Sequence, residues 1–331
     1  MATLKEIAEA VGTSITTVSR VLNYDHTLSV SDEMRLKIIE VAQEMNYQTP
    51  RNRKTIPDVN QKRIGIIHWY DVKSELDDPY YVGIRRGIEN LASTSKVDTK
   101  ILYQEEGEYQ LKKLGPIDGL ICVGKFTPEQ VALFLQITNR IVFVDSSPDI
   151  RSYDSVVIDF KDAIKQVVDY FSLKGYTEVG YLGGKERVSE DILLGERRAR
   201  YFEEYTKRLN MHHPNHIHIK EFNSESGYAM MKEVLKNKNY AKAYFCANDS
   251  IALGALKAIH EEGIKVPSDI ALIGFNDDAT SAFTYPSLTT IRVYTEFMGE
   301  QALMSLCEQF NGRTIPVRKM IPTELVLRES A

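Results

Sequence analysis

The chain has 331 residues, with 41 Lys and Arg against 46 Asp and Glu and a net charge of -5. That length allows two or three domains with a sizeable core, and so mild an acidity argues against a surface coated all over by nucleic acid. No charged and apolar leader opens the chain and no apolar run is long enough for a membrane span, so a soluble cytoplasmic protein without a membrane partner is expected.

The charge is uneven, because the first 63 residues sum to one positive charge and the remainder carries the acidity. A first helix is expected from Leu4, Ile7, Ala8 and Val11, which repeat at helical spacing, with Thr3 and Glu6 placed as a capping box. Gly12-Thr13-Ser14 breaks it, and Ser14 can cap a second helix in which Val18, Val21 and Leu22 share a face. Ile15, Thr16, Thr17, Ser19 and Arg20 lie on or beside the other face. A helix this short must pack on its neighbour. Short side chains at its start and one Arg a turn later are the build of a helix that meets base edges in the major groove. Spacing alone also fits an ordinary helical hairpin. A third helix, from a Ser31 cap to about residue 46, is expected to turn Leu36, Ile39 and Met45 inward and Arg35 and Lys37 outward.

Residues 49–62 read as a linker, with Pro50, Pro57 and many polar residues. Arg51, Arg53, Lys54, Lys62 and Arg63 cluster there, either as a solvated linker or as phosphate contacts. From Arg63 onward strand runs alternate with helical ones: RIGIIHWY, IDGLICVG, RIVFVD, EVGYLGG, KAYFCAN and IALIGFND, ending in Gly, Asp or Asn. Such alternation implies parallel sheets covered by helices on both faces. Nine or so strands fit two doubly wound lobes better than one sheet. Ligands of such sheets bind outside the carboxyl ends of the strands. Cys122, Cys246 and Cys307 are far apart and read as buried, reduced thiols.

The string TLKEIAEAVGTSITTVSRVLN resembles, nearly residue for residue, the N-terminal headpiece of the lactose/galactose repressor (LacI/GalR) family. FCANDSIALGALKAI, DIALIGFNDD and YPSLTTIR resemble that family's effector domain, itself similar to periplasmic sugar-binding proteins. DDPYYVGIRRGIE and the VGK after the third strand are most similar to the subgroup that includes the evolved β-galactosidase and galactose operon repressors. The resemblance implies an all-α helix-turn-helix headpiece (1–48), a hinge (49–62) and an α/β body (63–331) of two doubly wound parallel-sheet lobes. The N-lobe would take about 63–158 and 294–321, and the C-lobe about 159–293 and 322–331. It places Thr3, Ser14, Ile15, Thr16, Thr17, Ser19, Arg20, Asn23, Arg51 and Ile56 against double-stranded operator DNA. Family members carry a hinge helix that wedges a Leu into the minor groove. Here Ile56 stands near that position, but Pro57 follows at once and Thr55 is a poor helix former, which departs from the pattern.

Matched one by one, the effector contacts of the family fall on Asp78, Tyr80, Asp145, Arg197, Phe222, Asn248, Asn276 and Asp277. The chemistry suits a sugar: carboxylates and amides pair with vicinal hydroxyls, a guanidinium donates in a fork, and an aromatic ring covers the apolar face of a pyranose. Asp249 equally fits a helix cap. Tyr residues near position 80 fit a core as well as a ligand wall, and for Trp69 packing is the expected role. His212, His213, His216 and His218 lack partners at zinc-site spacing and read as an exposed loop, so no metal is expected. Gly183-Gly184-Lys185 lacks the spacing of a phosphate loop, no dinucleotide fingerprint follows the first strand, and no catalytic set stands out, so neither a cofactor nor an enzyme is expected. The resemblance implies a homodimeric repressor of galactoside or galactose utilisation, released from a palindromic operator by galactose, lactose or a related galactoside. The rival readings are a sugar-binding protein or a sugar-modifying enzyme without a role on DNA.

Overall fold

The computed structural model describes residues 3–22, 28, 30–45, 62–71, 75, 78–105, 107–189, 192–193, 196–237 and 239–331. The chain divides into two compact units, Met1–Ile56 and Pro57–Ala331.

In the first unit α1 (Leu4–Val11), α2 (Ile15–Leu22) and α3 (Asp32–Glu44) enclose a small core of Ile7, Ala8, Val11, Val18, Val21, Ile38 and Ala42. Both halves of the Thr3–Glu6 capping box are made, and α1 ends on Gly12 in the left-handed region, where a side chain would be strained. The Ser14 hydroxyl accepts from the Thr17 N–H at 3.0 Å, which caps α2. Of the residues expected inward on α3, Ile39 packs against this core but Leu36 and Met45 do not. Leu36 is 60% exposed and Met45 sits outside, whereas Ile38 and Ala42 are buried and Met34, Ile39 and Val41 pack around them. Apolar residues occur on several sides of this helix, so its periodicity does not fix its phase.

The second unit contains two six-stranded sheets. The first uses β1 (Arg63–His68), β2 (Asp98–Tyr103), β3 (Gly119–Val123), β4 (Ile141–Val144), β5 (Asp154–Ile158) and, after two long excursions of the chain, β13 (Arg318–Ile321). Its spatial order is β13-β5-β4-β3-β1-β2, parallel throughout. The second sheet uses β6 (Val179–Gly184), β9 (His212–Lys220), β10 (Ala243–Cys246), β11 (Ala271–Asn276), β12 (Thr289–Arg292) and β14 (Glu324–Val326), in the order β14-β12-β11-β10-β6-β9. β14 is antiparallel to β12, and the other pairs are parallel. β7 (Arg187–Ser189) and β8 (Ile192–Leu193) form a small ribbon. Twelve strands exceed the nine or so expected, because β2, β9 and β13 are polar edge strands without an apolar run.

The histidine segment corrects a reading. It is the edge strand β9, not an exposed loop, and His216 is 2% exposed, its ring stacked on His213 at 4.5 Å.

Each sheet has one doubly wound half-order. In the first lobe β1 lies between β2 and β3, and in the second β6 lies between β9 and β10. The order reverses beside β1 and beside β6, and a crevice opens at the carboxyl end of such a switch point. Helices cover both lobes. α4 (Tyr80–Ser95) packs on α10 (Thr295–Phe310), and α8 (Ser224–Lys236) packs on α9 (Asp249–Glu261). Both contacts are backbone-close: a Cβ on Gly87 would lie 1.9 Å from the Glu296 carbonyl oxygen, and one on Gly254 1.9 Å from that of Ser224. α5 (Pro128–Leu135), α6 (Phe160–Leu173) and α7 (Arg197–Arg208) complete the layers. No helix among the described residues is long and apolar enough to cross a membrane.

Candidate functional site

Two surfaces carry recognition chemistry, one in each unit. In the headpiece the buried Val18 and Val21 hold α2 by one side. Its opposite side then presents Ser14, Thr16 and Ile15, the last 48% exposed. A half-exposed Ile on a two-turn helix costs solvation, and it is the type of group that meets a thymine methyl. Thr17, Ser19 and Arg20 are half-buried beside this edge. The Thr3 and Thr17 hydroxyls are engaged, Thr3 with the Glu6 carboxylate at 3.1 Å and Thr17 with Ser14 at 2.8 Å. Their first role is therefore to fix the ends of the two helices. Asn23, Arg51 and Ile56, and with them the hinge, lie outside the described residues.

In the second unit the ends of the strands meet across a cleft. The N-lobe wall is made by Trp69 and Tyr70 after β1, Asp78, Tyr80 and Tyr81 at the start of α4, and Asp145 after β4. The facing wall is made by Phe160, Glu186, Arg198, Phe222, Phe275 and Asn276. Asp145 is 4% exposed and its backbone is left-handed at φ 65. Strain of that kind persists only where the surroundings over-determine it. Here the surroundings are two phenols, Tyr80 donating to the Asp145 carboxylate at 3.2 Å and Tyr81 at 2.8 Å. Burial, and then the Asp145 charge, push both phenols well above their ordinary pKa, so they remain donors.

Arg198 is the cation of the opposite wall. Its guanidinium donates to the Ala247 carbonyl at 2.7 Å, to Glu186 at 3.2 Å and to Glu196, and the rings of Phe222 and Phe275 lie 4.9 and 5.2 Å away. Burial opposes its charge, but Glu196 and Glu186 outweigh burial and hold it well above the usual arginine value. Glu196 caps α7 by accepting from the Arg198 and Ala199 N–H groups, so one carboxylate fixes both the helix and the guanidinium. One ion pair crosses between the lobes. Lys125, which follows β3, lies 2.5 Å from Glu186 and 3.8 Å from Asp145.

Two buried amides are left unmatched. Asn248 is 0% exposed and caps α9 through its side-chain oxygen, while its Nδ2 has no hydrogen-bond partner. Asn276 is 5% exposed with φ 117, and its Oδ1 likewise has none. A buried polar atom without a partner costs about 1–3 kcal/mol. Asn276 lines the cavity, and Asn248 lies behind it beside Asp78, whose carboxyl burial pushes above its usual range against the Tyr80 N–H and the Arg198 charge. The innermost cavity has about 20 Å³ of free space, enough for one water, so a sugar ring enters only as the lobes part.

A model of the bacterial regulatory proteins of the lacI family matches residues 3–50, and one of the periplasmic binding protein-like domain matches residues 168–331. The transcriptional repressor MelR of Bacillus subtilis is 35% identical over all of this chain and 97% of its own length. The transcriptional regulator GalR of Streptococcus thermophilus is 36% identical over 100% of this chain and 99% of its own. This chain belongs to the lacI family. A crystal structure of the lac repressor dimer, bound to operator and the anti-inducer ONPF, shares the fold at 24% identity and a TM-score of 0.70, covering 99% of this chain and 98% of that one. As a lacI-family protein this chain is a DNA-binding transcriptional regulator and not an enzyme.

For a member of this family the cleft departs from the expected residues at three positions, Arg197, Asp277 and Asn248. Arg197 is exposed and stays outside the cavity, 6.0 Å from the Phe160 ring, and the guanidinium inside is that of Arg198. Successive helical residues point about 100° apart, so one of two neighbouring arginines faces in, and the Glu196 cap selects the second. Asp277 does not line the cavity either. Arg292 donates to it at 2.7 Å and Arg328 closes on its other oxygen, which ties β12 to the C-terminal segment. Asp78, Tyr80, Asp145, Phe222 and Asn276 do line the cavity, and Asn248 lies behind it. Trp69 does so too, where packing alone was expected. Asp249 is not the cap of α9. It is N1 of that helix, buried, accepting from Thr290 at 2.6 Å and from the Asp278 N–H at 2.7 Å. Glu186 and Phe275 were not singled out in the sequence, whereas Tyr81 was one of the tyrosines that fit either a core or a ligand wall and Lys125 stands in the VGK string. The strand end was the available signal for Glu186, two residues after β6.

Proposed function

We propose that the protein is a sugar-responsive repressor of galactoside or galactose utilisation genes. Two headpieces bind a roughly palindromic operator, and a neutral galactoside such as galactose or lactose enters the cleft and lowers operator affinity. The observation that carries the reading is the buried amide of Asn276, whose Oδ1 has no partner and which lines the cavity beside Asp145 and Arg198. A polyol ring supplies the missing partner, with Phe222 or Phe275 for its apolar face. The relatives named GalR and MelR support the same class. Arg198 and Lys125 are already paired with carboxylates, which leaves no unpaired cation for a phosphate among the described residues that line the inner cavity.

Ile15, Thr16 and Arg20 read the operator, Arg20 by a forked contact to guanine. The acting species is a cytoplasmic homodimer, because a two-fold operator asks for a two-fold protein. α4 of the N-lobe and α9 of the C-lobe supply part of the contact. Phe283 and Tyr285, 88% and 89% exposed on the C-lobe, are further surface that a second copy covers.

A thermal-shift screen of neutral sugars, sugar phosphates and nucleobases tests the reading. A galactoside at 100 times its Kd adds about 2.7 kcal/mol of stability and raises the melting temperature. A response confined to phosphorylated sugars or to bases contradicts it.

A further inference from the structure

The innermost cavity is not the whole cleft. Outside it lies a wider mouth of about 270 Å³, lined by Lys185, Arg187, Glu221 and Asn223 together with residues that also line the inner cavity. Those shared residues are Trp69, Tyr70, Asp78, Glu186 and Phe222, so the two spaces form one continuous cleft. Pockets for small organic ligands usually have about 300–1,000 Å³. The mouth alone approaches the lower limit, and parting the lobes joins it to the inner cavity.

The lining changes character from inside to outside. The inner part has charged groups already committed to one another, with Asp145 held by two phenols and Glu186 by Lys125 and Arg198. An aromatic strip runs outward from there. Tyr80 meets Tyr81 at 4.9 Å between ring centroids, Tyr81 meets Trp69 at 5.8 Å, and Trp69 meets Tyr70 at 5.0 Å. From the facing lobe Phe222 projects into both spaces. Its ring is held by Arg198, 4.9 Å from the centroid, and lies where a Cβ on Gly184 would come within 2.3 Å of it. Its orientation is therefore fixed before any ligand arrives. The rim is different again: Lys185 and Glu221 are exposed, and their charged ends have no partner among the described residues. Asn223 spends its side-chain oxygen capping α8, which leaves its amide nitrogen facing outward from that bond.

We infer that the cleft is built for a glycoside of at least two rings, the first in the inner cavity and the second in the mouth, between Trp69 and Phe222 and under a rim of Lys185, Glu221 and Asn223. The inference rests on the reading of the cleft as a sugar site and narrows it from any galactoside to a disaccharide or longer. An aromatic strip longer than one ring contact is of no use to a monosaccharide. Rim groups of mixed charge and uncommitted hydrogen-bonding capacity suit a second set of hydroxyls that remains partly hydrated. Glu186, common to both spaces, stands at the junction, where the glycosidic oxygen and the hydroxyls beside it would pass.

Calorimetric titration of the full-length protein tests this, with galactose, an α-linked and a β-linked galactosyl-glucose disaccharide, and the double variant Lys185→Ala/Glu221→Ala. Both substituted side chains are exposed, so the variant is expected to melt with the wild type. The better disaccharide should bind at least about tenfold more tightly than galactose. The double variant should lose most of that advantage while its affinity for galactose stays unchanged. Equal affinity for galactose and both disaccharides overturns the inference and leaves the sugar reading intact, as does a variant that weakens both ligands alike. No binding of any of the three sugars removes the sugar reading, and the inference with it.

Discussion

The headpiece and the cleft recognise their ligands by opposite means. The reading edge of α2 is exposed, its groups are short, and the core beneath it amounts to seven small or medium apolar residues. The cleft is buried, its charges are paired before any ligand enters, and the lobes carry large aromatic cores behind it. On the exposed edge a substitution removes one contact and leaves the fold alone. In the cleft the same kind of substitution strands a buried partner. Specificity can therefore be varied at low cost in the headpiece, whereas in the cleft it is bound to stability.

The largest effect is expected at Arg198. Arg198→Ala leaves Glu196 buried without its cation and Glu186 with Lys125 alone, and breaking such a buried pair costs about 3–5 kcal/mol. Urea titration should show that loss, and a galactoside should no longer release the operator. Arg197→Ala, one residue away and exposed, should fall within about 0.5 kcal/mol of wild type in the same titration. A reversed ranking would place the wrong arginine in the cleft.

Next comes Arg20. Arg20→Ala should lower operator binding by about 1–3 kcal/mol of discrimination while binding to random DNA falls much less. Fluorescence anisotropy on both duplexes at one salt concentration measures the difference. Equal losses would make Arg20 a phosphate contact and erase the contrast between the two surfaces.

The buried carboxylates of the C-lobe give a smaller, pH-dependent effect. Burial pushes Asp249 up to about 7, against its hydrogen bond from Thr290. Burial and then Asp249 push Asp278 up to about 8, with Asp78 and Asp277 adding to it. The folded state thus holds a proton that the unfolded chain releases near pH 4. The associated stability is fully present below that pH and is lost as the pH rises to about 8, by up to about 1.4 kcal/mol per pH unit for one proton. Urea midpoints between pH 6 and 8.5 should fall accordingly, and Asp278→Asn should flatten the slope. A midpoint that rises over this range contradicts the assignment. The smallest effect is Ser14→Ala, which removes the cap of α2 at a cost of about 1 kcal/mol. It should lower headpiece stability, measured by amide exchange in α2, without touching sugar affinity.

Much of the fold is legible in the sequence because its signals are local. The Thr3–Glu6 box, the Gly12 break and the Ser14 cap lie within three or four residues of their partners, and the strand runs of both sheets end in the Asp and Asn that face the cleft. What the sequence did not disclose depends on partners far along the chain. Nothing near Asp277 says that Arg292 and Arg328 will absorb its charge. Nothing near Lys125 says that Glu186, on the other lobe, will take it. The choice between Arg197 and Arg198 turns on one helical step, which a pattern of adjacent arginines cannot resolve. The polar strands β2, β9 and β13 owe their conformation to the sheet beside them, not to their own residues.

On the proposed function, the exposed edge of α2 and the buried cleft are energetically linked. The most direct test is the affinity of the full-length protein for a galactoside, measured by calorimetry with and without saturating operator duplex selected from a random-sequence pool. Linkage requires the two ligands to change each other's affinity by one factor. The sugar should bind more weakly in the presence of operator, by the same factor by which saturating sugar weakens operator binding. Sugar affinity that is unchanged, or increased, when operator is bound would contradict the linkage.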